Sequence, residues 1–245
     1  MNRFYISSAE IDKDYFSEIK DDYLADVPSV KYLLNGNKLN FENNVTFLIG
    51  ENGIGKSTLL EAIAVKFGFP PEGGSKDYFY STKNSHSDLY KAIMLSKSSF
   101  PDDGFFLRAE SFYNTATYLD SVGAGERFGG ISLHNQSHGE SFLATVQYRF
   151  SENGLYILDE PEAALSPMKL LSLMAEIKYL VDNNSQFIIS THSPILMAFP
   201  DAVIYEISQN GICAVDYKNT EHYQVTKNFL DNPERTFKYL FDNQK

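Results

Sequence analysis

Residues 44–58 read Asn44-Val45-Thr46-Phe47-Leu48-Ile49-Gly50-Glu51-Asn52-Gly53-Ile54-Gly55-Lys56-Ser57-Thr58. The run 44–49 is apolar and β-branched and stops at Gly50, the pattern of a buried strand. Downstream, Leu59, Leu60, Ile63, Ala64 and Phe67 fall at helical spacing over 57–67, and Gly68-Phe69-Pro70-Pro71 ends that helix. Residues 50–57, between strand and helix, fit G-x-x-x-x-G-K-[ST], and the flanking elements argue against a chance glycine turn with a surface lysine. The chemistry follows from residue type. Glycines let backbone N–H groups converge on phosphate oxygens, and the helix start adds positive potential. In such a loop Gly50, Glu51, Asn52, Gly53, Ile54, Gly55 and Thr58 surround nucleotide phosphates. Lys56 reaches the β- and γ-phosphates, and Ser57 ligates Mg²⁺.

A second pattern lies at Leu155-Tyr156-Ile157-Leu158-Asp159-Glu160-Pro161. Four apolar residues run into two acids, as in a buried strand with charges at its C-terminal end, where open α/β sheets bind ligands. Beside a phosphate loop, Asp159 is expected to hold Mg²⁺ and Glu160 to polarise the attacking water. Alone, the same pattern also suits a strand leading into an acidic turn. A third apolar run, 186–189, leads into Ser190-Thr191-His192-Ser193-Pro194. One strand–helix–strand unit of ~30 residues separates the two and sets His192 beside the acidic strand. There it is placed to meet the γ-phosphate or its attacking water, although a lone histidine after a strand is more often structural.

Further out, 3–7 and 29–34 read as short strands, 88–95 as a helix capped by Ser87, and 104–109 as a strand. Residues 121–132 are glycine-rich. Helices are expected at 141–150 and 167–181, strands at 202–207 and 211–217, and terminal helices at 224–230 and 234–241, divided by Pro233. Strands alternating with helices imply an α/β fold with a largely parallel sheet. We expect one domain over 1–245: a nucleotide-binding core at 1–68 and 154–220, a lobe at about 69–153, and C-terminal helices at about 221–245.

Bulk properties narrow the function classes. A chain of 245 residues can build a substantial core without covalent staples. Cys213 is its only cysteine, which rules out an intrachain disulfide and points to a reducing cytoplasm, with the thiol as a small buried strand residue. The start, Met1-Asn2-Arg3-Phe4-Tyr5, does not resemble a signal peptide, and no apolar stretch approaches ~20 residues, so membrane insertion is not expected. The net charge of −11 opposes a surface built for nonspecific nucleic-acid binding, though a local basic patch or a partner would still allow DNA contact.

The phosphate loop, the acidic strand and His192 together resemble the ABC ATPase family, over roughly residues 29–207. Ser137-His138-Gly139-Glu140-Ser141 looks like the family signature, usually Leu-Ser-Gly-Gly-Gln, with Gln136 where leucine is usual and His138 replacing the first glycine. Read without the resemblance, the segment is also a helix cap. Ala164-Leu165-Ser166 resembles the family's D-loop, with Ser166 in place of its Asp. The segments 106–111 and 160–167 are similar to small stand-alone bacterial ATPases related to SMC and nuclease-associated ABC ATPases.

The resemblance implies a P-loop NTPase fold of the ABC type: a mostly parallel sheet core, an antiparallel β edge and a small helical lobe. It implies ATP and Mg²⁺ as ligands, Glu160 and His192 as catalytic residues, and a homodimer that forms on ATP binding. Ser137, His138, Gly139 and Glu140 would then act on ATP held by the opposite subunit. No clear Q-loop glutamine stands at the expected point. Glu110 is the candidate there, as a metal-sensing acid or simply a surface carboxylate, and neighbouring Arg108 could instead pair with an acid or a phosphate. Tyr5, Tyr32 and Phe41 are candidates for adenine stacking. The asparagine–lysine motif of GTPases is not found, since Asn37-Lys38-Leu39-Asn40 lacks its Asp. Three roles stay open: an ATPase driving an effector or nuclease partner in DNA processing or phage defence, a slow ATP-dependent dimerisation switch, and the energy-coupling subunit of a membrane transporter.

Overall fold

The apolar run ahead of Gly50 becomes an inner strand of a six-stranded sheet. The structure, a computed structural model, describes residues 4–76, 86–112 and 137–242. In chain order its strands are β1 (Ser8–Ile11), β2 (Leu39–Asn40), β3 (Val45–Ile49), β4 (Ile93–Ser96), β5 (Asp103–Arg108), β6 (Gly154–Asp159), β7 (Gln186–Ser190), β8 (Val203–Ser208) and β9 (Gly211–Ala214). The helices are α1 (Lys13–Ser17), α2 (Pro28–Leu34), α3 (Lys56–Phe67), α4 (Leu89–Ala92), α5 (His138–Arg149), α6 (Pro167–Asp182), α7 (Pro194–Met197), α8 (Glu221–Asp231) and α9 (Pro233–Asp242).

The large sheet has the order β5-β6-β7-β3-β8-β9, and every pairing is parallel except β8 with β9. A second, antiparallel sheet has the order β2-β1-β4. Side-chain alternation sorts the core into two layers. Val45, Phe47 and Ile49 of β3 join Phe142 and Val146 of α5, Leu170, Leu173 and Ile177 of α6, and Leu196 of α7. On the opposite face, Leu48 joins Leu59, Leu60 and Ile63 of α3, Val30 and Leu33 of α2, and residues of the small sheet. With both faces covered, β3, β6 and β7 are buried along their whole length, which is why they read as unbroken apolar runs. The order sets β7 between β3 and β6. The C-terminal ends of the phosphate-loop strand, the acidic strand and the histidine strand therefore share one edge of the sheet.

Several expectations need correction. Residues 29–34 form α2: Pro28 presets φ at the first turn, and Val30 and Leu33, three apart, face the core. The strand expected at 3–7 lies at Ser8–Ile11; Tyr5 and Ile6 before it donate their backbone N–H groups to Gln186 Oε1 at 2.8 and 3.0 Å. The helix expected at 88–95 is one short turn, α4, followed by β4. Asp88 rather than Ser87 holds the cap position, and pairing with β1 draws 93–96 into a sheet. Cys213 is exposed, because β9 is an edge strand. The run 121–132 lies outside the described residues. Among the described residues, no helix is long and apolar enough to cross a membrane.

Candidate active site

Gly50, Gly53 and Gly55 all have positive φ. At two of them packing adds a steric demand. A Cβ on Gly50 would lie 2.3 Å from the Ile207 carbonyl oxygen, and one on Gly55 would lie 2.2 Å from Val27 Cγ1. Val27 is the cap residue of α2, and the Ser29 hydroxyl of that helix also donates to the Gly55 carbonyl at 3.0 Å. The helix misread as a strand is thus the wall that holds the loop. Lys56 opens α3 and is buried, and its Nζ donates to the carbonyls of Gly50 at 2.8 Å and Glu51 at 2.9 Å. Burial draws the Lys56 pKa below the ordinary lysine value, with Glu160, Asp159 and Glu162 acting against that shift.

Asp159, the last residue of β6, is buried and fully engaged. Its Oδ1 accepts from Ser57 Oγ at 3.0 Å and from Ser190 Oγ at 2.5 Å. Its Oδ2 faces Arg108 Nε at 3.4 Å. The Arg108 guanidinium is itself anchored by Glu61 Oε2 at 2.6 Å. Of the alternatives for Arg108, pairing with acids is the one seen. Glu160 follows in the left-handed region (φ 49°), its N–H held by the Ser190 carbonyl at 3.1 Å and hydroxyl at 3.2 Å. A non-glycine residue in that conformation marks a site where strain is held by its surroundings. Its Oε1 lies 3.5 Å from His192 Nε2. The backbone N–H of His192 donates to Glu162, whose carboxyl pKa is raised by burial.

Lys56, Ser57, Asp159, Glu160 and His192 are thereby brought together at one end of the sheet. A cavity of ≈ 280 Å³ opens among them, lined by Asn52, Gly53, Gly55, Lys56, Ser57, Thr58 and Glu160, with Tyr23 and Val27. A larger cleft of ≈ 930 Å³ adjoins it, bounded by Gly50, Glu51, Asn52, Ile54, His192 and His222 among others.

Other residues stand apart. The Glu110 side chain is 92% exposed, and its contact is Arg108 Nη2 at 4.0 Å, so the structure does not bring it to Asp159. Ser137 caps α5 in a capping box: its N–H and hydroxyl both donate to Glu140 Oε2, at 2.9 and 2.5 Å. Lys169 Nζ lies 4.0 Å from the other Glu140 oxygen. Gly139 packs on the loop after β6, where an added Cβ would come 2.5 Å from the Ala164 carbonyl oxygen. The His138 side chain lies outside the described residues. Ser166 caps α6 through the Lys169 N–H, a role that Asp performs equally well.

Tyr5 and Phe41 are buried, with the Tyr5 hydroxyl spent on the Asn184 carbonyl, so neither offers a ring face. Tyr32 is half-buried and lies under Gly211. Sequence reading missed Tyr23, an exposed ring at the phosphate-loop cavity. No sequence signal marked it: Ile19 and Val27, four residues either side, make it read as an ordinary packing residue. His222 was missed as well, since no motif surrounds it.

Known proteins resemble this chain in sequence and in fold. Residues 131–198 match the family model described as "AAA domain, putative AbiEii toxin, Type IV TA system", and residues 30–102 match one described as "AAA domain". An "Uncharacterized ABC transporter ATP-binding protein" of Haemophilus influenzae is 26% identical over 228 residues, 81% of this chain and 84% of that protein. The solved structure titled "An inward-facing conformation of a putative metal-chelate type ABC transporter" superposes with a TM-score of 0.51 at 13% identity. It covers 92% of this chain and 88% of that one, a likeness of fold.

Proposed function

We propose that in this P-loop ATPase of the ABC type two chains sandwich two ATP molecules, each held by one chain's phosphate loop and closed by the other's α5. The observation that carries the reading is a division of the site. Lys56, Ser57, Asp159, Glu160 and His192 converge, whereas Ser137 and Glu140 sit exposed at a helix start whose contacts lie on the loop and helix after β6. Exposed N–H groups at a helix start suit a phosphate. Their described contacts are with Lys169 and Ala164 rather than with the phosphate loop, so they are best used on a partner's phosphate.

The residues present suit ATP–Mg²⁺. Mg²⁺ takes few protein ligands beside phosphate oxygens, and Ser57 Oγ and the Asp159 carboxylate offer hard oxygens 3.0 Å apart. When bound, Mg²⁺ supplies charge neutralisation on the phosphates. Lys56 exchanges its two loop carbonyls for phosphate oxygens and counters their charge. Glu160, pinned through its N–H, orients the attacking water and accepts its proton. His192 lies across from Glu160 and steadies the same water or the γ-phosphate. Tyr23 offers its ring to the adenine. At the signature, Glu140 holds the Ser137 donors, so a partner's phosphate has to displace that carboxylate. Gly139 against Ala164 makes α5 and the D-loop move together, which links closure of one site to the interface.

The cellular role we favour is an ATPase coupled to an effector or nuclease partner in a reducing cytoplasm, in DNA processing or phage defence. The dimer is tested by light scattering on Glu160→Gln. We expect dimer mass with ATP–Mg²⁺ and monomer with ADP–Mg²⁺, because the γ-phosphate supplies the differential affinity. A monomer at saturating ATP would contradict the sandwich for this chain.

A further inference from the structure

His222, on α8, is outside every motif, yet its ring reaches the catalytic end of the sheet. His222 Nε2 lies 3.1 Å from His192 Nδ1, and His192 Nε2 lies 3.5 Å from Glu160 Oε1. The other two ring positions, His192 Nε2 and His222 Nδ1, are buried with no hydrogen-bond partner in the protein. Burial lowers both pKa values, opposed at His222 by Glu221 and Glu206 and assisted at both rings by the Lys56 ammonium, so the surroundings favour the neutral imidazole in each ring. A neutral imidazole carries one N–H and one lone pair. A 3.1 Å nitrogen–nitrogen contact therefore holds one proton, and only two arrangements exist.

In the first, His192 Nδ1–H donates to His222. His192 Nε2 then turns a lone pair towards the Glu160 carboxylate, and His222 Nδ1–H is a buried donor without an acceptor. In the second, His222 Nε2–H donates to His192 Nδ1. His192 Nε2–H then faces the carboxylate, and the unpartnered atom is a bare acceptor. The second arrangement replaces repulsion by attraction, and an orphan acceptor is tolerated better than an orphan N–H. We propose that His222 is a positioning residue that fixes His192 as the Nε2–H tautomer, so that His192 presents a hydrogen-bond donor to Glu160 and to the phosphate side of the site.

The partner of a functional histidine commonly sets its tautomer and orientation. What is specific here is its source. α8 has no buried residue, and Val225 and Thr226 of the same helix line the cleft opposite Glu51 and Asn52. The tautomer of a residue at the γ-phosphate end of the site is thus set by an exposed C-terminal helix. The inference rests on the reading of His192 given above, but the ring chemistry is measured separately from turnover.

Two-bond ¹⁵N–¹H spectra of the imidazoles decide it, with His192 assigned as the signals missing from His192→Ala. In the wild type at neutral pH we expect the His192 pattern of protonated Nε2 and bare Nδ1. His222→Phe should convert it to a tautomer mixture and lower kcat on the order of 10-fold, the lower end of what losing a histidine's supporting partner costs. KM for ATP should change little. His222→Gln, whose side-chain amide can still donate, should restore both. A wild-type His192 protonated on Nδ1 overturns the proposal without any variant, and so does a His222→Phe protein whose His192 pattern is unchanged. Normal turnover by His192→Ala would instead sink the role given to His192 in hydrolysis, while the tautomer assignment would stand on the spectra.

Discussion

Replacing Glu160 by glutamine should leave ATP binding intact and slow hydrolysis at least ~100-fold, in line with the loss of a positioned base. The backbone dictates this choice of variant. Glu160 sits at φ 49° with its N–H tied to both Ser190 oxygens, so the side chain leaves the main chain in a direction few residues reach without strain. Glutamine keeps that direction and the volume, and removes only the charge and the proton acceptor. The neighbouring His192 Nε2 contact at 3.5 Å keeps an oxygen to face. Single-turnover hydrolysis read beside nucleotide affinity separates the two effects. Normal turnover would place the water-activating group elsewhere.

Lys56→Ala should lower ATP affinity and turnover together, by about 10²–10³-fold if its ammonium acts as a preorganised phosphate donor. Lys56 makes two hydrogen bonds, both within its own loop, to Gly50 and Glu51. Losing two bonds of about 1 kcal/mol each is a modest cost for a domain of this size, so the variant should remain folded. Melting temperature and nucleotide binding are to be measured on the same sample. A folded variant that binds and hydrolyses ATP normally would remove Lys56 from the site.

These residues were legible because their order along the chain carries the chemistry. A strand buried on both faces must be apolar throughout, so the loop, the acid pair and His192 each appear as a polar break after an apolar run. The parallel sheet that gathers them follows from the alternation of strand and helix. What was not legible depends on partners distant in sequence. α2 reads as a strand because Val30 and its neighbours suit either state, and Pro28 decides it only once the helix packs on Gly55. β4 exists because β1 pairs with it; 93–96 alone continues a helical pattern. Arg108 could be read as pairing with an acid or a phosphate, but nothing near it in sequence named Glu61 and Asp159 as the acids it bridges. His222 and Tyr23 reach the site from segments with no motif, so composition and spacing pass over them.

The central claim, that each ATP site is built from two chains, is most directly tested by mixing two disabled variants. Lys56→Ala spoils the phosphate loop and leaves the signature intact. Ser137→Arg, at the exposed start of α5, spoils the signature and leaves the phosphate loop intact. Neither should hydrolyse ATP alone. Mixed in equal amounts, they should recover roughly a quarter of wild-type turnover, from random pairing and one intact composite site in each mixed dimer. Failure of the mixture to exceed the sum of its parts, or full turnover by Ser137→Arg alone, would contradict a site shared between two copies of this chain.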